Sequence, residues 1–202
     1  MLTRQASSIF AGGLAAAVAL AGTLAGCGGT AASGSAASAK AAARISLVSP
    51  AITGAEIPAR YTCDGKNIAP PLRWGAVPPT VSELVLFALG VTPSQSGAAS
   101  GSVEWVMAGV NPRLHEIAAG ALPPGAVLLE ASDGKRQYSI CPPKGHTERY
   151  EFAVFAVPPV VRVGNAIGGP QLLKNLVNGP PGGTAEDLSP GRGGFFASYR
   201  RG

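Results

Sequence analysis

The sequence predicts a mainly β fold: an antiparallel β-sandwich with long Pro- and Gly-rich loops and one short helix late in the chain. Apolar runs of strand length recur along it, whereas a single stretch carries helical spacing. Pro and Gly punctuate the remainder, with 18 and 28 occurrences in 202 residues, too densely for long helices to form.

The chain opens "MLTRQASSIFAGGLAAAVALAGTLAGC". One cation, Arg4, precedes an apolar run that ends in small residues and a cysteine, which is the layout of a secretion signal. The tetrad Leu24-Ala25-Gly26-Cys27 resembles a bacterial lipobox, in which the chain is cut before the cysteine and the thiol is acylated. An uncleaved membrane helix is the lesser reading, because the run is short and rich in Ala and Gly. Several acyl chains on Cys27 suffice for stable anchoring, since each buried methylene contributes roughly 0.8 kcal/mol. Residues 1–26 are thus expected to be a signal peptide, and residues 27–43, almost all Gly, Ala, Ser and Thr, a lipidated cysteine and flexible tether. Residues 44–202 then form one domain, anchored to the membrane by lipid on its extracytoplasmic side.

Charged residues make up only 13% of the chain, and net charge is +5. A surplus this small gives no footing for nucleic-acid binding and fits contact with anionic lipid or polymer, or no electrostatic role.

Outside the membrane, two cysteines left after lipidation read first as a disulfide between Cys63 and Cys141. A catalytic thiol served by His146, or a metal site from both cysteines and His146, are weaker readings, since the chain has only two histidines and no paired-cysteine ligand spacing. Within the domain, "LVLFAL" (84–89), "VEWVMAGV" (103–110) and "YEFAVFAV" (150–157) read as buried strands, and "GFFASYRR" (194–201) as a closing strand. "VPPT", "TPSQSGAASG", "LPPG" and "SDGK" read as turns. "GPQLLKNLVNG" (169–179) sets Leu172, Leu173, Leu176 and Val177 on one helical face. "GRGG" (191–194) reads as a turn, and neither a nucleophile elbow nor a phosphate loop is present.

"IPARYTCDGKNIAPPLRW" (57–74), "EW" (104–105), "CPPKGHTERYEFAVFA" (141–156) and the terminal "SYRR", taken together, resemble the phosphatidylethanolamine-binding protein family in its bacterial, Raf-kinase-inhibitor-like branch. The resemblance implies a β-sandwich with a small anion pocket at one end for phosphate-like head groups and no established catalysis; no cofactor or metal is expected. It also implies that the segments around Cys63 and Cys141 meet at that pocket, which supports the disulfide.

The pocket residues that carry over are Asp64, Glu104, Trp105, Pro143, Glu148 and Tyr150. The family's Asp-Pro-Asp-x-Pro motif should fall at 89–93, where this chain reads "LGVTP" and keeps only Pro93. Both pocket histidines are replaced, by Glu104 and Glu148. A carboxylate about 5 Å from a phosphate charge repels it by roughly 3 kcal/mol at an effective dielectric near 20, so the family's anion is not expected here. The glutamates are expected to pair with Arg149, Arg136 or Lys144 in a closed network, to form a site for an amine or cation, or to face solvent. Paired carboxylates can also serve glycoside hydrolysis, but no hydrolase motif accompanies them. The expectation is a non-enzymatic, lipid-anchored binding protein with an altered pocket. The alternative is a surface interaction protein that contacts a protein partner through its loops.

Overall fold

In a computed structural model, the described residues are 42–91, 101–159, 163, 167–179 and 189–202. The signal sequence, Cys27, nearly all of the tether and Pro93 lie outside them. The strands are β1 (Ala43–Arg44), β2 (Leu47–Val48), β3 (Leu72–Trp74), β4 (Glu83–Val91), β5 (Gly101–Val110), β6 (Glu116–Ile117), β7 (Val127–Leu128), β8 (Thr147–Val157) and β9 (Gly191–Arg200), with α1 (Gly169–Asn178) before the last.

Two sheets form. The larger has six strands in the order β1-β9-β8-β4-β5-β7, and the smaller has three in the order β2-β3-β6. The long pairings β4 with β5, β4 with β8 and β8 with β9 are all antiparallel, as expected, whereas the two-residue β1 joins β9 in parallel.

The sequence reading located every long strand and the helix, and the structure lengthens the strands by one to three residues at their polar ends. The short strands β1, β2, β3, β6 and β7 carry no period of their own and were not anticipated. The 191–194 glycines are the start of β9 rather than a turn, because β1 and its continuation lie directly against them. A Cβ on Gly193 would run into the Ile45 carbonyl, and one on Gly191 would come within 3.2 Å of Pro78.

Alternation along β8 divides the core. Tyr150, Phe152, Val154 and Ala156 face the small sheet with Leu84, Leu86, Ala88 and Trp105. Ala153, Phe155 and Val157 face the other way with Val85, Phe87 and Leu89, and receive Leu172, Leu173 and Leu176 of α1. The large sheet is therefore the middle of three layers, and its central strands read as continuous apolar runs because both of their faces are covered. Pro170 opens α1, where its missing N–H is no loss, and Gly179 ends it at φ 82°.

Cys63 and Cys141 form a disulfide that spans 78 residues. The two segments are joined by more than sulfur. The Cys63 N–H donates to the Ile140 carbonyl (3.0 Å), and Asn67, held at φ 50°, accepts the Ile140 N–H at 3.3 Å. Gly65 allows the tight turn between them, since a Cβ there would sit 2.5 Å from the Ala59 carbonyl oxygen.

Among the described residues one charged side chain is buried. Glu151 is 6% exposed, and its Oε2 has no partner among the described residues. Burial pushes its carboxyl up to about 7, against the weaker opposing pull of Arg192 and Arg149.

Two outcomes follow for stability. Reduction of Cys63–Cys141 should destabilise the domain by several kcal/mol, with about 4 to 5 kcal/mol as the loop-entropy ceiling, read from urea unfolding with and without reductant. A raised folded-state carboxyl makes the charged form costly, so Glu151 costs stability above pH 7 and stops doing so as pH falls from about 7 towards its ordinary value near 4.5. Glu151→Gln should therefore gain up to about 3 kcal/mol at pH 8 and almost nothing at pH 4, measured by the same unfolding experiment.

Candidate functional site

The glutamates at positions 104 and 148 converge at one end of the large sheet. On β4, Ala88 pairs with Trp105 and Leu89 with Val103, so Glu104 is an extra residue on β5, a bulge that turns its side chain away from the regular alternation. Next along β4 is Gly90, flanked by Ser102 on β5 and Tyr150 on β8. A Cβ on Gly90 would stand 2.7 Å from Ser102 Oγ and 3.2 Å from Glu104 Oε1, so the glycine leaves the room that these two side chains occupy. The Ser102 hydroxyl donates to Glu104 Oε1 at 2.5 Å. On β8, Glu148 falls on the same face as Tyr150, whose hydroxyl donates to Glu148 Oε2 at 2.8 Å.

The expected network of arginine and lysine partners is not what surrounds them. Among the described residues no ion pair joins Glu104 or Glu148 to a base. Arg149 lies over the Phe196 ring, 4.1 Å from its centroid, and Arg136 pairs with Glu130 at 3.3 Å. Lys144 is exposed on the turn before β8. The reason is strand geometry: Arg149 alternates with Glu148 and Tyr150 and so points to the opposite face. Burial raises the Glu104 carboxyl above its ordinary range, the Ser102 hydroxyl opposes this, and Glu148 and Asp133 raise it further. Burial and the hydrogen bond to Glu148 likewise drive the Tyr150 hydroxyl upward. The end of the sheet is thus acidic, held by hydroxyls rather than by cations.

The other residues assigned by resemblance divide into wall and rim. Trp105 is 1% exposed and meets Tyr138 edge-on at 5.9 Å, so it belongs to the core beneath the site rather than to an open wall. Pro143 is exposed in the turn, where its carbonyl accepts the His146 N–H at 3.1 Å. His146 is exposed on the same turn. Asp64 accepts from the Tyr199 hydroxyl at 2.7 Å and from Arg201 Nε at 3.1 Å. The Tyr199 bond, and then Arg201, hold its carboxyl below the usual range against partial burial. Tyr199 pairs across the strands with Glu148, so β9 links Asp64 to the glutamate end of the sheet.

Four contributors escaped the sequence reading: Ser102, Gly90, Tyr199 and Tyr138. The first three are visible only once the strands are in register. Tyr138 lies in the loop that leads to Cys141, is 7% exposed, and carries a hydroxyl with no partner among the described residues. Burial raises that hydroxyl, and Tyr150 feels its charge together with those of Glu148 and Glu104. Two carboxylates, the buried Tyr150 phenol and the Ser102 hydroxyl make an arrangement rich in acceptors, suited to a hydrogen-bond donor that carries positive charge.

Residues 48–184 match the family model described as phosphatidylethanolamine-binding protein. A UPF0098 protein of Mycobacterium tuberculosis is 36% identical over 119 residues, which cover 57% of this chain and 55% of that protein. The chain thus spans about half the length of the UPF0098 relatives it matches there. LppC of Mycobacterium tuberculosis, named as a candidate lipoprotein, is 30% identical over 147 residues, 71% of each chain. Among solved structures, CT736 of Chlamydia trachomatis, a homologue of phosphatidylethanolamine-binding protein, is similar with a TM-score of 0.63 and 26% identity, covering 79% of this chain and 99% of that one. YbcL of Escherichia coli shares the fold, with a TM-score of 0.61 at 21% identity over 78% of this chain and 99% of its own.

The Tyr138 hydroxyl provides a test of the site's polarity. A buried hydroxyl without a partner costs stability, so Tyr138→Phe should leave the fold unchanged and raise stability by about 1 kcal/mol in chemical denaturation. A loss of similar size would mean that the hydroxyl is satisfied.

Proposed function

The chain belongs to the phosphatidylethanolamine-binding protein family, and from that premise we propose that it is a lipid-anchored, extracytoplasmic binding protein whose pocket takes a small amine-bearing ligand. The role is binding and not catalysis. The observation that carries this reading is the pair Glu104 and Glu148, set at one end of the sheet, each held by a hydroxyl and neither in an ion pair among the described residues. In its partly buried setting Glu104 feels the charge of Glu148, and a cation between the two carboxylates relieves that repulsion. An ammonium group brings both charge and three donors, matching carboxylate and phenol acceptors. An organic amine suits the site better than a divalent metal, because among the described residues no three acidic, histidine or cysteine side chains are grouped to hold one. An amine head group of a phospholipid and a free amine share this chemistry.

Anchoring rests on the lipobox-like Leu24-Ala25-Gly26-Cys27 and on the naming of LppC as a candidate lipoprotein. No helix among the described residues is long and apolar enough to cross a membrane. The reading as a surface interaction protein finds less support. Among the described residues the large apolar side chains left exposed are Val48, Leu122 and Phe196, and Arg149 lies over the Phe196 ring.

Thermal unfolding against ethanolamine, putrescine, phosphoethanolamine, inorganic phosphate and Ca²⁺ tests the proposal. Ethanolamine or putrescine should raise the midpoint, by the equivalent of about 2.7 kcal/mol at a hundredfold excess over Kd, and Glu104→Gln with Glu148→Gln should abolish the shift. A shift with inorganic phosphate alone would restore the family's anion and overturn the amine. Silence across the whole panel would favour the protein partner.

A further inference from the structure

A cavity of about 830 Å³ opens on the far side of the large sheet from Glu104 and Glu148, at the β1–β9 edge and beside the end of α1. Its size falls within the roughly 300–1,000 Å³ of small-molecule sites. The walls are of two kinds. Phe155 of β8 with Leu176 and Val177 of α1 make an apolar side, whereas Arg44 and Arg192 stand on neighbouring strands on the other. Neither arginine forms an ion pair among the described residues.

Glu151 also lines this cavity. It is the buried carboxyl described above, with Oε2 unpartnered. Gly194 of β9, which pairs with Ala153 and lies diagonally across from Glu151, is where a Cβ would stand 2.9 Å from Glu151 Oε1 and 2.8 Å from the Phe152 carbonyl oxygen. The missing side chain leaves the room that the Glu151 carboxyl itself takes up at the cavity wall. A buried acid that costs stability, lining a cavity together with two arginines that form no ion pair among the described residues, is the mark of a site held ready for a ligand rather than of a packed core.

We propose that this cavity is a second binding site, for a small organic acid with an apolar body and a hydroxyl. The acid group lies on Arg44 and Arg192, the body packs against Phe155 and Leu176, and the hydroxyl donates to Glu151. Carboxylate and phosphate head groups share the chemistry that two arginines recognise.

Calorimetric titration of the full chain with octanoate, octyl phosphate, 3-hydroxyoctanoate and 1-octanol, below their micelle concentrations, tests this. One acid molecule should bind per chain, at least about tenfold more tightly than 1-octanol, and the tighter of octanoate and octyl phosphate identifies the head group. The hydroxy acid should exceed octanoate, and Glu151→Leu should remove that advantage. Arg44 and Arg192 are exposed, so their joint replacement by Ala should preserve the fold and weaken acid binding about tenfold or more. Glu104→Gln with Glu148→Gln should leave it unchanged, since those residues lie on the other face. Absence of saturable binding, 1-octanol binding as tightly as the acids, or an affinity unmoved by the arginine replacements would each overturn the proposal.

Discussion

Strand β4 is buried on both faces, and the rest of the molecule is arranged around that constraint. Leu84 to Leu89 are 0–1% exposed, alternately facing the small sheet and the α1 layer. A strand with no wet face cannot sit at an edge, so it must have a neighbour on each side and a layer on each face. β5 and β8 supply the neighbours, and the long loops are consumed in bringing β2, β3 and β6 over one face and α1 over the other. Burying six consecutive apolar residues in the sheet's centre adds to both halves of the hydrophobic core.

The candidate site begins where that burial stops. At Gly90 the apolar run of β4 ends, and the absence of a side chain admits Ser102 and Glu104 from one neighbour beside Tyr150 of the other. The segment held by the Cys63–Cys141 bond and Asn67 is tied to this end by the Ser139 N–H, which donates to the Glu104 carbonyl at 3.3 Å. Scaffold and chemistry are thus separable: apolar burial builds this end of the sheet, while two carboxylates held by hydroxyls set its charge. Hydroxyls stabilise Glu104 and Glu148 without neutralising them, which leaves the end of the sheet with a net attraction for cations.

Three buried polar atoms lack partners among the described residues: Trp74 Nε1, Tyr138 Oη and Glu151 Oε2. Tyr138 lies at the glutamate end and Glu151 in the cavity on the opposite face, so two of the three coincide with places where a ligand could complete the hydrogen bonding. Trp74 Nε1 has no such setting, and nothing around it accounts for its lack of a partner. The two sites use the same sheet from opposite sides and differ in sign, one presenting carboxylates and the other arginines.

The sequence by itself determined the long strands and the helix, because each is specified by residues a few positions apart. "LVLFAL" is strand-length and apolar throughout, and the Leu172, Leu173, Leu176 pattern suits only a helix. It also pointed to the disulfide, since the number of cysteines and the secretion-signal pattern are local text. Only the tertiary structure decided what the glutamates touch. Their partners Ser102 and Tyr150 are selected by a bulge at Glu104 and by the face on which each strand residue falls, and a single-residue slip would exchange them. For the same reason Arg149, adjacent in sequence to Glu148, lies on the other face and stacks on Phe196. The short strands, the β9 assignment of the 191–194 glycines and the cavity beneath Glu151 depend on contacts between segments distant along the chain, and no local pattern encodes them.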